Sequence, residues 1–208
     1  MAKDSLALYK KYHLDRGDDR LGLFRLLVTR FGVERALYPG CFVHVTPSLV
    51  ILVITYVDTE NRAKAFFSDK SVMAFVADQK EYPVEAEIVF HHIDYRHALP
   101  EPDGRYDLLI SQYAGFVSMH CTHYLKIGGL LLANNSHGDA SMASIDPRYE
   151  LVGVINHRGE RFSLNVNQLE GYLIPKSGTP VTIEALLASG RGVGYTRSAG
   201  AYLFRRSS

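Results

Sequence analysis

The sequence predicts an α/β domain built on a doubly wound, mostly parallel sheet of seven strands, with an antiparallel last strand and helices on both faces. Three observations carry that expectation. Short β-branched and aromatic runs alternate with helical stretches, the order that parallel crossover units require. Val53–Val57 is β-branched and aromatic, as in a strand of a buried parallel sheet. Several of the runs also end on small or polar residues, among them Asp58, Asp94, Ser111 and Asn134, at the carboxyl ends where ligands bind in such sheets.

A chain of 208 residues suits one domain, here taken as 1–208, and 47% hydrophobic with 22% charged residues is an ordinary globular balance. In order along it, residues 4–30 read as two helical faces separated at Gly17-Asp18-Asp19. Val33–Tyr38 is the first strand, closed by Pro39-Gly40. Pro47–Val50 is a short helix with Thr46 as its cap. Val53–Val57 is the second strand, and Thr59 caps a helix over Glu60–Phe67. Ser71–Gln79 is a further helix, Ala86–Phe90 the third strand and Tyr106–Ser111 the fourth. Phe116–Leu125 is read as a helix closed by Lys126 and Gly128-Gly129. Leu130–Ala133 and Leu151–Ile155 are strands five and six. Beyond them, 156–200 reads as a lid-like segment with a strand near Arg161–Val166 and a helix over Thr182–Ala188, and Ala201–Arg205 is the last strand. The glycine-rich stretch 190–194 opens no helix and reads as a flexible loop.

Composition excludes several function classes. A net charge of +1 lacks the basic excess of a phosphate-gripping protein, so a small-molecule substrate is favoured over nucleic acid. Local basic stretches remain at Arg191–Arg197 and Arg205-Arg206, with solvated surface charge as the ordinary reading. The longest apolar stretch, Pro47–Val57, is far below the ~20 residues of a membrane span, and the polar start is unlike a signal peptide. Two cysteines without metal-type spacing fit a reducing, cytoplasmic setting. Neither a Gly-x-Ser-x-Gly elbow nor a phosphate-binding Gly-x-x-x-x-Gly-Lys loop is present.

At the strand ends, Gly40 lets a ligand approach the backbone closely. Asp58 can accept two hydrogen bonds from a ribose diol, Asp94 can accept from an adenine amino group, and Ser111-Gln112-Tyr113 supplies small polar groups after strand four. Each has a plainer alternative: Gly40 as a turn, Asp58 as a helix cap, Asp94 as a loop carboxylate. Their combination at successive strand ends is what one nucleoside requires.

This order of elements resembles that of the class I S-adenosylmethionine-dependent methyltransferases, a Rossmann-like fold, over residues 30–155 and the final strand. The resemblance implies that Tyr38, Pro39, Gly40 and Cys41 meet the methionine part of S-adenosylmethionine, that Asp58 and Thr59 hold the ribose end, that Asp94 meets adenine, and that Ser111-Gln112 lies near the transferred methyl. Leu125-Lys126-Ile127-Gly128-Gly129 resembles the family's turn before strand five. The first loop departs from the family, which alternates several glycines where only Gly40 stands here. Two alternatives therefore stand beside methyl transfer: a degenerate nucleoside-binding or scaffold protein, and an NAD(P)-dependent oxidoreductase, the latter disfavoured by the absence of Gly-x-Gly-x-x-Gly after strand one.

For chemistry, His137 after strand five, His44 near the first loop and Tyr113 are candidates, histidine because it titrates near neutrality. Cys41 is either a thiol at the site mouth or a small core filler. His120 and His123 share a predicted helix face, but spacing specifies no third ligand, so no metal is expected.

Overall fold

The computed structural model describes residues 5–112, 114–159 and 161–208, in two compact units, 1–99 and 100–208.

In the first unit α1 (Ser5–Tyr12) and α2 (Leu21–Phe31) precede β1 (Arg35–Pro39), and Gly17 breaks the helical stretch in the left-handed conformation that glycine adopts freely. After β1 come β2 (Val53–Val57), α3 (Asn61–Phe67), α4 (Lys70–Gln79) and β3 (Glu87–His91). The strands pair in the order β3-β2-β1, all parallel, with Tyr38 opposite Tyr56 and Tyr56 opposite Phe90. Every residue of β2 is buried, in keeping with its β-branched and aromatic run. Its Tyr56 ring stacks on Phe67 of α3, and Phe67 stacks on Phe90 of β3, so the sheet and the crossover helix share one aromatic column.

The second unit holds β4 (Tyr106–Ser111), α5 (Val117–Cys121), β5 (Leu125–Ala133), α6 (Asp139–Ile145), β6 (Tyr149–Arg158), β7 (Arg161–Asn165), α7 (Ile183–Ser189) and β8 (Ala201–Arg206). The strand order is β4-β5-β8-β6-β7, with β4 and β5 parallel and β8 antiparallel to both its neighbours. The expected antiparallel last strand is therefore present, inserted between β5 and β6. The strand expected near Arg161–Val166 is β7, an antiparallel edge strand against β6, and it brings the strands among the described residues to eight where a seven-stranded sheet was expected.

Several local expectations are corrected. Thr46 does not cap a helix; it lies inside the short 3₁₀ turn, and its hydroxyl shares a 2.8 Å hydrogen bond with that of Tyr9. Thr59 does not cap α3; Glu60 occupies that position without a side-chain cap, and its N–H donates to Asp58 Oδ1 at 2.8 Å. The helix expected to reach Leu125 ends at Cys121 and tightens into a 3₁₀ turn over Thr122–Tyr124. Its terminal carbonyls find a donor from outside: Arg206 Nη1 bonds the carbonyl oxygens of Thr122 (3.0 Å), His123 (3.3 Å) and Leu125. That guanidinium is thus a structural cap rather than part of an open basic patch. Leu125 already pairs with Tyr106, and pairing resumes at Leu130 opposite Leu108, so residues 126–129 bulge out of β5. Gly128, at φ +83°, makes this excursion possible. The sequence reading missed α6 entirely, and the 190–194 loop is docked rather than loose: Val193 O accepts from Asn135 Nδ2 at 2.8 Å, and Val193 N–H donates to Ser141 Oγ at 3.1 Å. No helix among the described residues is long and apolar enough to cross a membrane.

Candidate functional site

In the first unit the carboxyl ends of β1, β2 and β3 surround an open cavity of about 240 Å³, lined by Gly40, Asp58, Thr59, Ile93, Asp94, Tyr95 and Arg96. The parallel register creates this grouping. Pro39, Val57 and His91 sit side by side at the strand ends, so the residues that follow them emerge on one edge. Gly40, at φ +65°, turns the chain away from β1 while its N–H stays bonded to Val57 O at 2.8 Å.

Asp58 is the hub. Its Oδ2 accepts from the Phe42 N–H at 2.7 Å and its Oδ1 from the Glu60 N–H at 2.8 Å, which joins the loop after β1 to the start of α3. A carboxylate has about four acceptor positions, so both oxygens keep capacity for further donors such as a vicinal diol. Asp94 is differently placed. Arg96 grips both its oxygens through Nε and Nη2 at 2.5–3.0 Å, and this pairing holds its carboxyl down at about 2. A base edge entering here therefore meets an Asp94–Arg96 pair instead of a lone carboxylate.

Tyr38, Pro39 and Cys41 are buried and do not line the cavity. The Cys41 thiol is pushed up, first by burial and then by the Asp58 charge, which makes it an inert filler. His44 is also a core residue, 3% exposed. Its Nε2 bonds the Asp19 carbonyl at 2.8 Å, so that nitrogen carries the proton, and Nδ1 accepts from the Tyr38 hydroxyl at 3.0 Å. The His13 ring stacks on it at 4.3 Å. Burial, then the neighbouring His13, hold His44 well below its ordinary value, so it is neutral and has no ring nitrogen left for a substrate.

In the second unit, Ser111 ends β4 and Gln112 follows it, each 2% exposed. The Ser111 side chain hydrogen-bonds Asp139, and Gln112 Nε2 donates to the Ser111 carbonyl at 3.2 Å. Asp139, which the sequence did not mark as a candidate, is a buried charge of this region. It accepts from Ser118 Oγ at 2.5 Å and from Ser118 N–H at 3.1 Å, at the start of α5. Burial raises its carboxyl to about 6 against the opposing hydrogen bonds from the two serines. The only sequence signal for it was an acid directly after Gly138, the pattern of a helix start. His137 is exposed, and Tyr113 lies outside the described residues. Among the described residues no three His, Cys, Asp or Glu side chains form a group able to hold a metal.

No protein-family model and no curated protein sequence matches the chain. Among solved structures, the chain is similar over its whole length to a methyltransferase from Geobacter sulfurreducens, with 13% identity, 91% of that chain covered and a TM-score of 0.51. It also matches a candidate O-methyltransferase from Klebsiella pneumoniae (12% identity, 70% of this chain and 77% of that one, TM-score 0.49). A third match is a candidate S-adenosylmethionine-dependent methyltransferase from Methanococcus maripaludis (16% identity, 56% and 55%, TM-score 0.44). The chain thus spans about half the length of the last. At such identities the likeness concerns architecture alone: the chain shares the Rossmann-like α/β fold of the Geobacter methyltransferase.

Proposed function

We propose that this protein binds S-adenosylmethionine through the β1–β3 strand ends and transfers its methyl group to a small-molecule acceptor. The observation that carries this reading is the convergence of Gly40, Asp58, Thr59 and Asp94 on one cavity. The donor set fits a nucleoside. Asp58 retains acceptor capacity for a ribose diol, and the left-handed turn at Gly40 leaves the backbone open to close approach. When bound, S-adenosylmethionine supplies an electrophilic methyl on a sulfonium. The protein's part is to anchor the nucleoside and to align an acceptor heteroatom with the carbon–sulfur bond at short range.

The test is calorimetric titration with S-adenosylmethionine, S-adenosylhomocysteine and NADH. Both sulfur nucleosides should bind and NADH should not; absence of heat with either sulfur nucleoside refutes the proposal. Asp58→Ala should weaken S-adenosylhomocysteine by roughly tenfold or more, the loss expected for charge-assisted hydrogen bonds to a diol. The Asp94–Arg96 pair favours a second reading, a nucleoside-binding or scaffold protein without turnover, because the acid that would read the base is already engaged. Tight S-adenosylhomocysteine binding with no consumption of S-adenosylmethionine across a panel of amine, hydroxyl and thiol acceptors would favour it.

A further inference from the structure

Phe42 occupies a backbone conformation that its side chain disfavours. Its φ is +47°, in the left-handed region where Cβ crowds the carbonyl oxygen. Such a residue persists only where its surroundings over-determine it. Here three contacts do so. The Phe42 N–H donates to Asp58 Oδ2 at 2.7 Å. The ring meets that of Tyr12 from α1 edge-on, at 5.1 Å and 85°. The Arg62 guanidinium of α3 lies 4.9 Å from the ring centroid. With Gly40 at +65°, two left-handed residues flank the buried Cys41, and of this loop Gly40 lines the cavity beside Asp58 and Thr59.

We propose that Phe42 is a positioning residue for the nucleoside cavity: Asp58 locks it in the left-handed conformation, and that conformation fixes the loop against which the ligand lies. This inference rests on the function proposed above and assigns Asp58 a second task, holding the loop as well as meeting the ligand. Asparagine tolerates left-handed backbone and valine does not, so the two replacements separate conformation from ring packing.

The experiment compares Phe42→Asn, Phe42→Val and Asp58→Ala with the wild type by amide hydrogen exchange at residue 42 and by S-adenosylhomocysteine titration. Phe42→Asn should lower the urea midpoint, since the ring contacts are lost, yet keep the residue-42 amide protected and bind within about threefold of wild type. Phe42→Val should lose the protection and bind roughly tenfold more weakly, because β-branching adds to the left-handed cost that Phe42 already bears. Asp58→Ala should lose the protection as well. Protection retained in Phe42→Val or in Asp58→Ala, or protection lost with affinity unchanged, overturns the proposal. Exchange is read without ligand. A wild type that binds no sulfur nucleoside therefore refutes the proposed function, while the exchange pattern by itself still decides whether Asp58 locks Phe42.

Discussion

Asp139→Asn gives the sharpest test of the electrostatics in the second unit. The wild-type carboxyl is 2% exposed and is raised from 3.8 to about 6, with burial the main cause. In the unfolded chain it returns to its ordinary value. Between pH 3.8 and about 6 the folded state therefore binds more protons than the unfolded state, and stability falls as pH rises through that window. At about 1.4 kcal/mol per pH unit the total is ~3 kcal/mol, complete above the folded value. Asparagine keeps an oxygen for the Ser118 N–H and hydroxyl but does not titrate. Urea unfolding of both proteins from pH 4 to 8 isolates the group, because all other titrations cancel in the difference. The variant should gain on the wild type by roughly 2 kcal/mol between pH 4 and 6.5, then run parallel to it. A difference that stays constant over the whole range would refute the assignment of Asp139 as a carboxylate destabilised by burial.

Two other outcomes follow from packing and from the first-unit core. Gly192→Ala places a Cβ 2.1 Å from Asn135 Oδ1 and 2.4 Å from its backbone oxygen, so the 190–194 loop must undock. Limited proteolysis should then cut within that loop at least several-fold faster than in the wild type, and equal rates would contradict the docking. His44 should remain neutral through pH 6 in an NMR titration, because its depressed value favours the neutral form and the stability it lends declines only as pH falls below the ordinary 6.5. Protonation at or above 6.5 would contradict its placement.

Much of the fold was legible. Val53–Val57 and Tyr106–Ser111 coincide with β2 and β4 because continuous β-branched and apolar runs, bounded by polar residues, have few other solutions. What escaped had weak local signals. The α6 stretch Asp139–Ile145 is made of small residues without a broad apolar stripe, and it follows a polar run that reads as loop. The apolar character of Leu125 fits a helix or a strand; pairing with Tyr106 decides for the strand. The Thr46 and Thr59 assignments failed because capping depends on backbone angles that neighbours set, and Tyr9 and Asp58 took the relevant bonds.

The sequence by itself determined the order of elements, the buried strands and the set of polar residues at their carboxyl ends, because hydrophobic period and turn chemistry are local properties. The tertiary structure alone decided which of those residues share a cavity and which are consumed by the core. Gly40, Asp58, Thr59 and Asp94 meet because parallel register aligns their strands, whereas His44, Cys41 and Ser111 are withdrawn into hydrogen bonds or packing. It also showed that a loop poor in glycine takes left-handed turns at residues 40 and 42, with the Phe42 N–H bonded to a carboxylate sixteen residues further on.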